Sequence, residues 1–153
     1  MELDLDALMD IALDEARAAL AHDDVPVGAV VARADTGIVL ARRHNERERA
    51  HDPTAHAEVL ALRDAAECTG RWRLDECVLV VTLEPCPMCA GAAMAARLPL
   101  VVYGAPDPKA GALGTLYHFG SDPRLHHAMA VRGGVRADDA TDLLVRFFAE
   151  RRG

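Results

Sequence analysis

Four residues in two short stretches carry the chemistry of this chain: His56 and Glu58 in His56-Ala57-Glu58, and Cys86 and Cys89 in Pro85-Cys86-Pro87-Met88-Cys89. One imidazole nitrogen and two thiolates hold a zinc ion at three corners of a tetrahedron and leave the fourth for a water. That open corner separates a catalytic zinc from a structural one. Glu58 is the expected base, because a carboxylate beside such a water is placed to take its proton and pass it on. Two thiolates and a neutral imidazole cancel the charge of the dication, so the water is acidified less than at a three-histidine site and a base is required. Glu58 would carry the proton to a ring nitrogen of the substrate and later to a leaving amine, while hydroxide attacks an amidine-like carbon. A carbonyl and ammonia result.

Duller readings compete with this one. A lone Cys-x-x-Cys also occurs in zinc ribbons and redox proteins. A ribbon needs a second ligand pair of the same kind, which the sequence lacks. A thioredoxin-type disulfide gives His-x-Glu no task. Glu58 as a helix-capping carboxylate is the plain alternative to a base. A zinc-stabilised module that binds RNA or a partner without catalysis is a further reading, and an intact Glu58 beside an open coordination position argues against it.

The elements that must position these groups are legible in the pattern. Leu5, Leu8, Met9, Ala12, Ala16 and Leu20 recur at helical spacing, which predicts an amphipathic helix ending near Asp23-Asp24. Residues 25–32 and 37–41 flank a turn at 33–36 and predict a β-hairpin. Gly28 inside that hairpin predicts the close approach of another group to its backbone. After an irregular polar stretch carrying Asn45, Asp52-Pro53-Thr54 reads as the cap of a helix running to about Cys68, with His56 and Glu58 in its first turn. Residues two apart on a helix point to different sides, so both serve one ion only if the site lies over the helix end. Residues 77–83 form an apolar run, read as a strand buried on both faces and feeding the Cys-x-x-Cys.

Residues 85–97 predict a helix with Cys86 and Cys89 on one face of its first turn. Two helix N-termini would then meet at the metal, where their partial positive charge favours thiolate. Residues 100–104 predict another buried strand and 128–131 a short last one. A closing helix over 138–152 would turn Leu143, Leu144, Phe147 and Phe148 inward. Strands alternating with helices give an α/β fold with helices on both faces of a mixed sheet, and sites in such sheets lie at the carboxyl ends of strands.

A chain of 153 residues with 51% hydrophobic residues fits a single domain over 1–153. No apolar run approaches the ~18 to 20 residues of a membrane span, and the opening segment is acidic where a signal peptide is basic, so no membrane partner is expected and the location is expected to be cytoplasmic. Cys68 and Cys77 are expected to pack as small hydrophobes. A formal charge of −7 opposes non-specific affinity for nucleic acid. Arg42, Arg43, Arg47, Arg49, Arg146, Arg151 and Arg152 could still form a local basic patch, or could be solvated arginines balancing an acidic face.

The joint pattern is the signature of the zinc-dependent nucleobase and nucleoside deaminases. Within that superfamily the chain resembles the bacterial tRNA-specific adenosine deaminases over nearly its full length. The resemblance rests on residues 24–29, Asn45, residues 51–58, 81–86 and 88–92, Tyr103-Gly104-Ala105, Lys109-Ala110-Gly111 and the helix with Phe147-Phe148. It implies a three-layer α/β/α sandwich with a five-stranded mixed sheet of the cytidine deaminase type, and one Zn2+ per chain. The implied reaction is hydrolytic deamination of adenosine to inosine at the wobble position of a tRNA anticodon. The alternative is the same chemistry on a free base or nucleoside of the guanine or cytosine type. The resemblance makes Asn45 a contact to an extruded nucleotide, Asp107 a carboxylate near its ribose, the Ala29 N–H a contact to the base, and Val27 and Leu83 apolar walls. For Asn45 and Asp107 the plain alternative is a turn former. It also implies a homodimer that binds the anticodon loop near the subunit boundary. The chain departs from the family pattern at His126-His127-Ala128, where an Asn-His pair followed by a basic residue is common.

Overall fold

The computed structural model describes residues 2–152, and the side chain of Arg152, one of the candidates for a basic patch, lies outside the described residues. Helix α1 (Leu5–Ala19) leads through a 3-10 turn (Leu20–His22) to strands β1 (Gly28–Arg33) and β2 (Val39–His44). A short helix α2 (Arg47–Ala50) and helix α3 (Ala57–Thr69) precede β3 (Cys77–Leu83), α4 (Pro87–Ala95) and β4 (Leu100–Ala105). A second 3-10 turn (Phe119–Ser121), β5 (Ala130–Arg132) and α5 (Ala137–Arg152) complete the order. The sheet runs β2-β1-β3-β4-β5, antiparallel across the first two pairings and parallel across the last two. It is the five-stranded mixed sheet that the sequence led us to expect.

Two-residue periodicity divides the central strands between two cores. Ala29, Val31, Cys77, Leu79, Val81, Val101 and Tyr103 face α3 and α4. Val30, Ala32, Val78, Val80 and Val102 face α1 and α5. Strands buried on both faces explain the uninterrupted apolar run at 77–83, whereas the edge strands β2 and β5 are largely accessible. Helix α1 lies on the sheet through Leu8, Met9, Ala12, Leu13, Ala16 and Ala19. Asp4 caps it by accepting from the Ala7 N–H at 3.0 Å, and Asp23, with φ of 67°, ends the turn that follows. Gly28 is where that helix comes closest: a Cβ there would sit 1.9 Å from the Ala12 carbonyl oxygen and 2.6 Å from the Ala16 nitrogen. No helix among the described residues is long and apolar enough to cross a membrane.

Several expectations need correction. The hairpin is shifted, since residues 25–27 precede β1 and β2 continues through Arg42 and Arg43 to His44. The polar stretch after it contains α2, held by buried Asp24, whose carboxylate accepts from the Glu48 and Arg49 N–H groups at 2.9 and 3.4 Å. Asp52 does not cap α3, because its Oδ1 accepts from the Thr54 N–H and hydroxyl, both at 2.8 Å, closing a turn ahead of the helix. Leu20 and Phe148 are exposed, Phe148 because one residue beyond Phe147 turns it about 100° off the buried stripe of α5. Cys77 is buried as expected, but Cys68 is exposed at the end of α3.

Gly28→Val should lower the unfolding free energy by about 2 kcal/mol or more, because its side chain would strike helix backbone that has no rotamer to yield. Urea denaturation measures this, and an unshifted midpoint would mean that α1 moves off the sheet freely.

Candidate metal centre and active site

One edge of the sheet gathers everything that the motifs require. The antiparallel pairings bring the start of β1 beside the ends of β2 and β3, and the parallel pairing adds the end of β4. Gly28 N–H donates to the Thr82 hydroxyl across this edge at 3.2 Å. Asn45, Glu84, Pro85 and Cys86 leave the sheet there, and α3 and α4 begin beside them.

His56 and Cys86 are the N-cap residues of α3 and α4, not members of a helical turn. Both have extended backbone, with φ and ψ of −72° and 147° for His56 and −74° and 174° for Cys86. Neither side chain forms the usual capping hydrogen bond. They turn toward each other instead: His56 Nδ1 lies 3.7 Å from Cys86 Sγ and 3.4 Å from Cys89 Sγ. Donors on one tetrahedral zinc, with Zn–N near 2.05 Å and Zn–S near 2.3 Å, stand about 3.6 Å apart from nitrogen to sulfur. The two observed distances bracket that edge, and all three donor atoms lie within 4.8 Å of one another. The residues fit the ion.

The donors also compete for protons. The hydrogen bond from the Cys89 thiol, with help from His56, brings the Cys86 thiol down to about 4. That same bond, together with burial, pushes Cys89 upward. The hydrogen bond with Cys86 raises His56. A cation entering the triangle replaces the shared protons and makes both sulfurs thiolates. Glu58, the second residue of α3, is only 4% exposed, and its carboxyl is near enough to His56, Cys86 and Cys89 for their charges and protons to act on it. Burial pushes that carboxyl up, which suits a group that must both take and give a proton.

Asn45 is buried, and its Oδ1 accepts from the Ala57 N–H at 2.8 Å. This bond satisfies one of the free donors at the start of α3 and leaves the amide Nδ2 as the group turned to other partners. Val27 is buried, and Leu83 is half-buried at the end of β3. Ala29 is a correction. It is wholly buried and paired with Arg43 on one side and Val81 on the other. A strand hydrogen-bonded along both edges has no main-chain donor left for a base. Asp107 forms a turn, its Oδ1 accepting from the Lys109 and Ala110 N–H groups at 2.9 and 3.2 Å. The departure at His126-His127 is structural at His127, whose Nε2 lies 2.7 Å from the Leu98 carbonyl oxygen.

Sequence reasoning missed Glu84, a carboxylate wedged between an apolar strand and the metal-binding turn. It is 1% exposed and takes the N–H groups of Asp107, Leu113 and Thr115 at 3.0 to 3.1 Å, together with the Thr115 hydroxyl. A Cβ on Gly111 would stand 2.4 Å from this carboxylate, so glycine is required there. The arginines that could have formed a basic patch are largely committed to ion pairs. Arg42 binds Glu15, Arg43 binds Asp64 and Glu46, Arg49 reaches Glu46, and Arg151 binds Asp23. Arg47 and Arg151 line one cavity of about 340 Å³ with Asp24, Val25 and Phe147.

Residues 3–105 match the family model of the cytidine and deoxycytidylate deaminase zinc-binding region. The chain is 44% identical over 144 residues to the tRNA-specific adenosine deaminase of Agrobacterium fabrum, covering 94% of this chain and 93% of that protein. It is 50% identical over 153 residues to a tRNA(Ile)-lysidine synthase of Deinococcus radiodurans, covering 97% of this chain but 25% of that protein. A solved structure from studies of A-to-I editing by tRNA:A34 deaminases at the wobble position of transfer RNA superposes with a TM-score of 0.86 at 43% identity, covering 90% of this chain and 99% of that one. A guanine deaminase from Nitrosomonas europaea superposes with a TM-score of 0.81 at 28% identity, covering 97% and 86%.

Cys86→Ala should lose bound zinc and lower the melting temperature of the metal-loaded protein, since binding energy for the ion is partly folding energy. Elemental analysis of the variant beside the unaltered protein checks this, with one equivalent of zinc fewer expected, and an unchanged zinc content would remove Cys86 from the ligand set.

Proposed function

Because the chain belongs to the cytidine and deoxycytidylate deaminase zinc-binding family, we propose that it hydrolyses adenosine to inosine at the wobble position of a tRNA anticodon. The observation that carries this reading is the triangle of His56 Nδ1, Cys86 Sγ and Cys89 Sγ with a buried carboxylate beside it. Likeness across almost the whole length to a tRNA-specific adenosine deaminase favours adenosine in RNA as the substrate. The likeness to a guanine deaminase makes a free base the second reading.

Zinc held by the three donors supplies Lewis acidity, which makes a water nucleophilic near neutral pH. The remaining work belongs to the chain. A carboxylate oxygen of Glu58 takes a proton from the attacking water and gives it to N1 of the purine, making C6 electrophilic. The carboxylate so freed takes the remaining proton of the added hydroxyl and gives it to the departing amine; the C6–N bond breaks as the C6 carbonyl forms, and water and adenine yield hypoxanthine and ammonia. Burial of Glu58 keeps bulk water from competing for that proton. The Asn45 Nδ2 donates to an acceptor on the purine ring, its direction set by the bond that Oδ1 makes to Ala57. Val27 and Leu83, at the same sheet edge, give the ring apolar walls. Asp107 keeps Oδ2 available for a ribose 2′-hydroxyl, a contact that distinguishes RNA from DNA. We assign the active form as a cytoplasmic homodimer of one-domain chains, with the anticodon loop bound near the subunit boundary.

Glu58→Ala should retain zinc and fold while losing at least about 100-fold in turnover, the low end of what a positioned acid–base group contributes. Near-normal turnover would remove Glu58 from the mechanism. The substrate is tested by incubating the protein with an anticodon stem-loop bearing a wobble adenosine, and separately with free guanine, cytosine and their nucleosides. Inosine in the stem-loop is expected, and turnover of a free base with an inert stem-loop would decide for the second reading.

A further inference from the structure

A second cluster of metal-type donors flanks Asn45. His22 lies in the turn that follows α1, His44 ends β2, and Glu46 follows two residues later. Each offers one ligand atom, and these atoms lie within 4.8 Å of one another. The Nε2 atoms of His22 and His44 are both buried, and neither has a hydrogen-bond partner among the described residues. Buried polar atoms are nearly always partnered, so two unpartnered ring nitrogens side by side call for something between them. The ring centres stand 5.0 Å apart. Two imidazoles sharing one tetrahedral ion place their centres about 5 Å apart.

The surroundings of His44 point the same way. Its Nδ1 lies 2.9 Å from Glu15 Oε1, and Glu15 is held in turn by Arg42 Nε at 2.8 Å. A carboxylate on Nδ1 fixes the proton there and leaves the Nε2 lone pair facing the cluster, the arrangement that metal-binding histidines show. Glu46 brings the anionic ligand, although Arg43 and Arg49 also reach it. Asp24 Oδ2 stands 3.6 Å from His22 Nε2 and adds negative potential. Arg43, Arg49 and Arg42 balance these carboxylates, so the cluster is not an unrelieved acidic patch.

The geometry points to a second metal site, in which His22 Nε2, His44 Nε2 and Glu46 bind one divalent first-row transition ion of the zinc class. Imidazole and carboxylate donors suit such ions, and the absence of sulfur sets this site apart from the first. Nitrogen and oxygen donors on one ion stand about 3.3 Å apart, so the side chains close up by an ångström or so on binding. The rings are 19% and 16% exposed, which gives an ion a route in. Bound there, the ion ties the end of α1 to residues 44–46. It therefore braces Asn45, whose Oδ1 holds the first N–H of α3. The site is independent of which substrate the enzyme takes.

Metal counting on the full chain tests the proposal. After equilibration with Zn2+ and removal of loose ion, the unaltered protein should retain two equivalents, and His22→Gln and His44→Gln one each. In the Co2+ form the first equivalent gives a thiolate-to-metal charge-transfer band, and the second binds without adding to it. Glu15→Gln leaves all three ligands in place and should weaken the second equivalent about 10- to 100-fold while sparing the first. That variant decides the matter if the histidine variants fold poorly. Saturation of the unaltered protein at one equivalent overturns the site, as does a second equivalent that survives both histidine substitutions or ignores Glu15→Gln.

Discussion

A helix N-terminus presents free N–H groups that side chains at the N-cap ordinarily satisfy, and here two N-cap side chains are turned toward each other instead, as ligands of one ion would be. His56 and Cys86 hold those positions on α3 and α4. The donors they abandon need other answers. At α3 the answer is Asn45, whose Oδ1 takes the Ala57 N–H. At α4 it is Pro87 at the first helical position, which has no N–H to satisfy. Pro87 of the Pro-Cys-Pro turn and the distant Asn45 thus follow from one requirement. That requirement also fixes the Asn45 amide, since an acceptor on Ala57 leaves only donors for a ligand.

Buried carboxylates give the surrounding loops their shape. Burying one costs several kcal/mol. A hydrogen bond to a charged group contributes about 1.5 to 3 kcal/mol, and Glu84 makes four such bonds. These bonds offset the burial only while residues 107–115 keep their place, and any displacement of that segment strands a buried carboxylate. The same logic applies to Asp24, which ties the segment leading into β1 to α2 through the Glu48 and Arg49 N–H groups. Both carboxylates restrict the backbone beside the site to a single course.

Local pattern made most of the architecture legible. Residues 77–83 read as a doubly buried strand because no polar side chain interrupts them before Thr82, and they pair on both sides. Gly28 signalled a close approach, and α1 makes it. The misses have physical causes. Asp52 looks like a cap but spends its oxygen on Thr54, so α3 starts at the residue after the metal ligand. Ala29 was placed by resemblance, and only the register of β1 against both neighbours shows where its N–H goes. Pairing between His22 and His44 depends on the packing of α1 over β2, which no local spacing announces.

Electrostatics bears on how an acidic protein of net charge −7 handles RNA. Most of its arginines already touch carboxylates, which argues against a broad cationic face. Exposed pairs of this kind hold about 0 to 1 kcal/mol, so a phosphate arriving beside Arg49, whose side chain is 61% exposed, displaces its carboxylate at small cost. Long-range attraction is nevertheless weak, and sequence-independent sliding along RNA is disfavoured. Discrimination then falls to the short range. On the proposed reading a nucleotide is accepted when it leaves its stack and meets Asn45, Glu58 and the apolar strand ends together, and unstacking is least costly in a loop. The negative surface then works with that short-range recognition, because it penalises every nucleic-acid encounter that ends without it.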